Sequence, residues 1–159
     1  MGEIIGYIRV STAEQNTARQ EAALSEYGCQ KLFIDKMSGK ERHRPQLEAM
    51  LNYIREGDAV VVESISRLAR STRDLLDIVD KLKDKGVAFI SLKESIDTTT
   101  PQGKFVMTIF AALSELEREN IRQRQAEGIA IAKEQGKYKG RRPKKEDQTE
   151  LEKIGRAHV

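Results

Sequence analysis

Cysteine and histidine are scarce in this chain. The single cysteine, Cys29, excludes an internal disulfide framework and fits a reducing cytosol. The two histidines, His43 and His158, give no paired-ligand spacing with it, so no metal site is expected. No histidine stands where it would activate a serine, which disfavours a Ser-His-Asp hydrolase. A phosphate-binding P-loop is excluded as well, because Gly39-Lys40 lacks the preceding glycine.

Long apolar runs are also missing. The longest uncharged stretch with apolar character, residues 105–114, is too short to span a bilayer. The N-terminus enters a strand-like run directly, without the pattern of a secretion signal. We therefore expect a cytoplasmic protein with no membrane partner.

Positive charge is concentrated in one region. The chain has 159 residues and a net charge of only +3, a size that suits one domain with one core. Residues 118–145, however, contain ten Lys or Arg against three Glu. This asymmetry indicates a limb that binds a polyanion such as nucleic acid. A solvated helix face followed by a plain tail is the alternative.

Strand-like and helix-like segments alternate through the first two thirds of the chain. This order predicts an α/β fold with a mostly parallel sheet of four to five strands, flanked by helices. Reactive groups in such sheets gather beyond the carboxyl ends of the strands. The predicted strands are residues 4–10, 31–35, 59–62 and 87–92, and the predicted helices are residues 17–27, 45–56 and 72–85.

A long helix is predicted from about residue 99 to residue 135. One apolar stripe runs along its first half at helical spacing. This half has more apolar surface than is needed to cover one small sheet. We therefore expect a homodimer interface, with a purely intramolecular core helix as the alternative. The stripe consists of Phe105, Ile109, Ala112, Leu113 and Leu116.

A basic arm follows this helix. Six of the nine residues from 137 to 145 are Lys or Arg, and Gly140 and Pro143 oppose helix formation. An extended arm of this kind can lie along a DNA minor groove. A charged linker is the alternative.

Arginines cluster near a loop serine. Arg9 interrupts an apolar strand, which is costly without an anionic partner, and Ser11 shares its face by strand alternation. Arg67 and Arg70 would share a face if they lie on a helical turn. Arg44 directly precedes a helix, where backbone N–H groups favour anions. Such a set suits metal-free phosphoryl transfer by Ser11, because guanidinium groups bind phosphate. Ordinary surface ion pairs are the alternative.

Four blocks of residues, in the right order and spacing, resemble those of serine site-specific recombinases of the resolvase/invertase family. The resemblance spans residues 4 to about 143. The blocks are Tyr7-Ile8-Arg9-Val10-Ser11-Thr12 with Gln15 and Gln20; Phe33-Ile34-Asp35 with Ser38-Gly39 and Arg44-Pro45; Ser66-Arg67-Leu68-Ala69-Arg70-Ser71; and Glu117-Arg118-Glu119 with Arg122 and Arg124.

The resemblance implies a mechanism. Ser11 would attack a DNA phosphate, become joined to the 5′ end and release a 3′ hydroxyl. Paired crossover sites would be cut with a two-base stagger, rotated and rejoined, with no ATP, metal or other cofactor. Arg9, Arg67 and Arg70 would hold the scissile phosphate with Arg44 close by. Tyr7, Gln15, Gln20, Asp35, Ser38 and Arg118 would support the site, and Arg122, Arg124, Lys137, Lys139, Arg141 and Arg142 would contact DNA.

The resemblance also implies the partners. These are a double-stranded DNA crossover site and a second copy of the chain, with tetramers on paired sites, in the nucleoid of a bacterium. We expect a catalytic core over residues 1–98, a dimerisation and DNA-proximal helix over 99–136 and a basic arm over 137–152.

Two features depart from the family pattern. Many members have aspartate where this chain has Ser66. The serine therefore removes a carboxylate that could orient Arg67 or shuttle a proton. Small members also continue into a helix-turn-helix domain, and we expect this sequence to lack it. Residues 154–159 back-translate to ATC GGA AGA GCA CAC GTC, which resembles a widely used sequencing adapter. Our hypothesis is that residues 153–159 derive from adapter read-through, with a natural short terminus as the alternative.

Two other functions remain open at this point. One is a catalytically silent DNA-binding or dimerisation module derived from a recombinase. The other is a phosphodiesterase or nuclease that does not rejoin its product. The resemblance is compatible with resolution, inversion and integration.

Overall fold

The computed structural model describes residues 2–11, 16–37 and 42–140. Strands and helices alternate along these residues, as predicted. The elements are β1 (Ile4–Ser11), α1 (Ala18–Tyr27), β2 (Lys31–Met37), α2 (Pro45–Tyr53), β3 (Ala59–Val62), α3 (Ile65–Leu68), α4 (Thr72–Asp84), β4 (Ala88–Ser91), β5 (Ile96–Asp97) and α5 (Pro101–Glu134).

The five strands form one sheet in the order β2-β1-β3-β4-β5. The first four are parallel, and only β5 runs antiparallel, against β4. The predicted α/β fold with a mostly parallel sheet is therefore confirmed. Several boundaries differ from the prediction. The strands β1 and β2 continue through Ser11 and Met37, because they pair up to Ser11–Met37. The helix α2 ends at Tyr53 and not near residue 56, β4 is shorter than predicted, and α3 and β5 were not predicted.

Helices cover both faces of the sheet, which is why β1 is apolar on both sides. On one face the core joins alternate strand residues to α2, α3 and α4, with Met107 and Phe110 of α5 packed against it. On the other face Ile8, Val10 and Val61 pack against Leu24 of α1. The odd-numbered residues Ile5 and Tyr7 of β1 belong to the first face. By alternation, Arg9 and Ser11 lie on the same side of the strand.

The chain forms two compact units that divide within α5, between Leu116 and Glu117. In the first unit the predicted apolar stripe of α5 lies mostly in solvent: Phe105 is 66% exposed and Leu116 is 53% exposed. Ile109 and Leu113 are exposed as well. The alternative of a stripe packed only on its own core is therefore wrong.

Within residues 2–11, 16–37 and 42–140, no helix is long and apolar enough to cross a membrane. The same residues contain no group of three or more His, Cys, Asp or Glu that could hold a metal ion. The expected arm beyond residue 140 and the expected adapter-derived tail lie outside the described residues. The expected limits of core, helix and arm stay predictions.

Gly103 lets the first turn of α5 approach β5. A Cβ atom at Gly103 would lie 1.8 Å from the backbone oxygen of Asp97, whereas a Cβ at Gly128, in the same helix, would meet nothing within 4 Å. We predict that Gly103→Ala destabilises the fold by roughly 1–3 kcal/mol through overpacking. Gly128→Ala should stabilise it by up to about 1 kcal/mol, because alanine favours the helix.

Urea unfolding followed by circular dichroism measures both effects. The two substitutions are chemically identical and lie in one helix, so their opposite signs isolate the close contact at Gly103. Equal stabilisation by both variants would show that Gly103 has no packing role.

Candidate active site

The candidate site lies at the carboxyl ends of β1 and β3. The strand β1 is flanked by β2 on one side and β3 on the other, so the chain reverses its direction of winding there. In open parallel sheets, ligands bind in the crevice at such a switch point. Ser11 is the last residue of β1 and is exposed at this place.

Arg9 lies two residues before Ser11 and links β1 to α3. Its Nε donates to the backbone oxygen of Arg67 (3.2 Å), and its Nη2 donates to that of Ser66 (2.6 Å). Arg9 is half-buried, so its charge needs the partners that these carbonyls provide.

Arg44 reaches the same turn from the start of α2. Its Nη1 donates to the backbone oxygen of Leu68 (2.6 Å), and its Nη2 donates to both carboxylate oxygens of Asp74 (2.9 and 3.0 Å). Three consecutive carbonyls, those of Ser66, Arg67 and Leu68, therefore accept hydrogen bonds from Arg9 and Arg44. Cations favour this end of a helix, where carbonyls have no partner within the helix.

Arg70 contacts the end of β2. Its Nη2 lies 3.5 Å from the Sδ of Met37, and Met37 pairs with Ser11 across the two strands. The guanidinium group of Arg70 thus lies beside the strand end that carries the serine. The predicted helical turn through both Arg67 and Arg70 is wrong, because α3 ends at Leu68 and Ala69 is extended.

The four arginines are close enough to affect one another electrostatically. Burial lowers the pKa of Arg9 most, and Tyr7 partly offsets this shift. The positive charges of Arg70, Arg44 and Arg67 lower the pKa of Arg9 further. An anion bound among these groups would relieve their repulsion, and the planar, doubly donating guanidinium matches the oxygens of a phosphate.

Asp35 contacts both the Tyr7 side chain of β1 and the start of α2. It is 3% exposed, and its carboxylate accepts hydrogen bonds from the Tyr7 hydroxyl (2.9 Å) and from the backbone N–H groups of Gln46 and Leu47 (both 3.0 Å). Asp35 therefore caps α2, since Arg44 at the N-cap position makes no side-chain cap hydrogen bond. The sequence suggested that the backbone N–H groups at the start of α2, beside Arg44, bind an anionic ligand. In the structure the carboxylate of Asp35 accepts these hydrogen bonds.

The other predicted site residues are spread more widely. Gln20 on α1 is 4% exposed, and its Oε1 has no hydrogen-bond partner among the described residues. Arg118 is half-buried in the second unit, where Arg122, Arg124, Lys137 and Lys139 are exposed. Their roles stay predictions. Gln15, Ser38, Arg141 and Arg142 lie outside the described residues.

Asp74 was not predicted as part of the site. It lies in the first turn of α4 and contacts Arg44 through its side chain and Arg70 through the Arg70 backbone N–H. The spacing Ser71-x-x-Asp74 is a capping-box pattern that could have drawn attention to it. Ser71 is the N-cap residue of α4, and its hydroxyl accepts from the Asp74 N–H.

Comparison with known proteins identifies the family. The family model "Resolvase, N terminal domain" matches residues 4–138. A DNA-invertase of Enterobacteria phage P7 is 47% identical over 146 residues, which cover 92% of this chain and 78% of that protein. The transposon Tn917 resolvase of Enterococcus faecalis is 44% identical over 142 residues, covering 89% of this chain and 77% of that protein.

A solved structure agrees with these sequence relatives. It is a resolvase family site-specific recombinase from Streptococcus pneumoniae, with a TM-score of 0.68 and 25% identity, covering 85% of this chain and 99% of that one. The chain belongs to the resolvase N-terminal domain family, which confirms the resemblance noted in the sequence.

The hydrogen bond between Tyr7 and Asp35 makes the stability of the fold change with pH in the alkaline range. Burial and the hydrogen bond to Asp35 raise the pKa of Tyr7 well above its usual range. Up to pH ~10 the phenol is neutral in both the folded and unfolded chain, so its hydrogen bond stabilises the fold fully. Above that pH only the unfolded chain loses the phenol proton. The contribution of Tyr7 to the free energy of unfolding then falls by up to about 1.4 kcal/mol per pH unit.

We therefore predict that Tyr7→Phe costs about 1–2 kcal/mol near neutral pH and progressively less above pH ~10. Urea unfolding of both proteins between neutral and alkaline pH measures the difference in the free energy of unfolding. Tyr27→Phe, at an exposed position, controls for the loss of a tyrosine. A difference for Tyr7→Phe that stays constant with pH would contradict the prediction.

Proposed function

We propose that this chain is the catalytic part of a site-specific DNA recombinase in which Ser11 is the nucleophile. The observation that carries the proposal is the exposed Ser11 at the end of β1, beside a group of arginines whose charges act on one another. Membership of the resolvase family, and relatives named DNA-invertase and resolvase, support site-specific recombination as the activity.

In the proposed reaction the Ser11 oxygen forms a bond to a backbone phosphorus of DNA. The bond from phosphorus to the 3′ oxygen breaks, so the 5′ end becomes joined to Ser11. The proton lost by the serine hydroxyl balances the one gained by the released 3′ hydroxyl. Rejoining is the reverse step with a new 3′ hydroxyl. Because each phosphodiester is exchanged for another phosphate ester, no ATP is needed.

The arginines would supply the electrostatic part of catalysis. Negative charge increases on the phosphate oxygens during attack, and fixed donors that need no rearrangement stabilise it. We assign the phosphate to Arg9, Arg67 and Arg70, with Arg44 holding the turn that carries two of them. Permanently charged guanidinium groups can serve in place of a metal ion, so we propose metal-independent transfer.

The stripe on α5 supports a homodimer. Phe105, Ile109, Leu113 and Leu116 recur at helical spacing and are all exposed in the first unit. A contiguous apolar stripe of this kind favours burial against a second copy. On paired DNA sites two dimers would form a tetramer.

We assign the DNA backbone contacts to basic residues of the second unit. These residues would neutralise DNA phosphates, and they are Arg122, Arg124, Lys137 and Lys139. Arg141 and Arg142, which follow them in the sequence, would do the same.

Detection of a covalent adduct tests the proposal. We would fuse the chain to a DNA-binding domain of known specificity and supply labelled duplexes with two inverted binding sites around a randomised spacer. We predict an adduct that survives denaturation, with the 5′ phosphate on Ser11 by peptide mass spectrometry. Ser11→Ala should abolish it while changing stability by less than about 0.5 kcal/mol, because Ser11 is exposed.

Ser25→Ala, at an exposed position on α1, is the matched control and should leave the adduct intact. No adduct with the unaltered chain would favour the catalytically silent module. Cut DNA that accumulates and is never rejoined would favour a nuclease.

Arg67→Ala should slow cleavage by at least about 10³-fold, since one transition-state donor typically contributes ~10²–10³ and a guanidinium group serves more than one oxygen. Arg73→Ala removes an exposed arginine of the neighbouring helix α4 and should change the rate less than twofold. Single-turnover cleavage at saturating protein measures both. A loss below tenfold for Arg67→Ala would exclude Arg67 from the phosphate site.

A further inference from the structure

Asp74 is the common partner of two arginines that reach the candidate site from different elements. Its carboxylate accepts two hydrogen bonds from Nη2 of Arg44, at 2.9 and 3.0 Å. One of the same oxygens accepts the backbone N–H of Arg70 at 2.9 Å. The side chains of Asp74 and Arg44 are 25% and 13% exposed, so this ion pair is shielded from solvent.

These contacts fix the turn between α3 and α4. The helix α3 has only four residues, and Ala69 after it is extended, so local helical hydrogen bonding does not determine the path of Arg70. The carboxylate of Asp74 holds the Arg70 backbone N–H instead. From this anchored backbone the Arg70 side chain reaches Met37 at the end of β2.

Arg44 extends the influence of Asp74 to the end of α3. While Nη2 of Arg44 is held by Asp74, its Nη1 donates to the carbonyl of Leu68. The two preceding carbonyls, of Ser66 and Arg67, accept from Arg9. Asp74, Arg44 and Arg9 are thus joined through one turn of backbone, and that turn carries Arg67.

We propose that Asp74 is a positioning residue for the recombinase reaction, which orients Arg70 directly and the turn carrying Arg67 through Arg44. This inference rests on the function proposed above. A carboxylate in the first turn of a helix also stabilises that helix by its charge alone. The experiment must therefore separate orientation of the arginines from stability of the fold.

The test measures single-turnover adduct formation by the fusion protein with the randomised-spacer duplex at saturating protein. Asp74→Asn keeps the size of the side chain but removes its charge. We expect the rate constant to fall about 10²-fold, the loss typical of a small misplacement of catalytic groups. DNA affinity should stay within about twofold, because the permanent charges that attract DNA remain. Asp77→Asn, on the exposed side of α4, makes the same charge change and should react at the unaltered rate.

Two further variants distinguish positioning from folding. Asp74→Glu restores the carboxylate and should recover at least about tenfold of the lost rate. Arg44→Lys removes the doubly donating group. Adding Asp74→Asn to Arg44→Lys should lower the rate constant much less than Asp74→Asn does in the unaltered chain, because the effects of coupled residues do not add. Thermal unfolding of each variant gives the folded fraction at the assay temperature.

The outcomes separate the two proposals. An unaltered chain that forms no adduct refutes the proposed function, and the role of Asp74 with it. An active unaltered chain with Asp74→Asn at the same rate constant refutes only the role of Asp74. A lower adduct yield and melting temperature with an unchanged rate constant would show that Asp74 only stabilises the fold. Fully additive effects of Asp74→Asn and Arg44→Lys would contradict action through Arg44.

Discussion

Repulsion among positively charged guanidinium groups at the carboxyl end of β1 is the constraint to which the surrounding structure responds. Arg9, Arg44, Arg67 and Arg70 belong to three separate segments. Burial lowers the pKa of Arg9 most, and the charges of the other three lower it further. The fold offsets this repulsion with the carbonyls at the end of α3 and with the carboxylate of Asp74. Backbone carbonyls carry only partial charges, so each of them offsets part of a guanidinium charge. Guanidinium groups donate hydrogen bonds to phosphate oxygens, and we propose that a DNA phosphate binds among these arginines.

The carboxylates of Asp35 and Asp74 have different tasks. Asp35 binds the start of α2 and the Tyr7 hydroxyl, so it fixes the helix from which Arg44 projects. Asp74 binds the Arg44 side chain itself. Arg44 is therefore held at both ends, through its backbone by the position of α2 and through its guanidinium by α4. In the proposed reaction, Arg44 would therefore need little reorganisation after DNA binds.

Much of this arrangement could be predicted from local sequence, and the rest depends on contacts between distant residues. The apolar run in β1 predicted a buried strand, and alternation placed Arg9 and Ser11 on one side of it. The end of α3 at Leu68 has no local signal, since neither glycine nor proline follows, so the assumed helical turn through Arg70 was wrong. The capping of α2 by Asp35 joins residues eleven and twelve positions apart through the packing of β2 on α2. Periodicity contains no information about such contacts.

The long helix α5 shows the same limit in another form. Its spacing predicted an apolar stripe, but spacing alone does not tell which apolar residues face the sheet. Met107 and Phe110 pack on the core, and Gly103 permits close contact with β5, whereas Phe105, Ile109, Leu113 and Leu116 face away. The helix therefore has two apolar faces of different origin, and its own sheet covers only one. Burying the second face removes several large apolar side chains from water, which gives association with a second copy a favourable free energy. That second face is why we propose that the catalytic unit acts as a dimer.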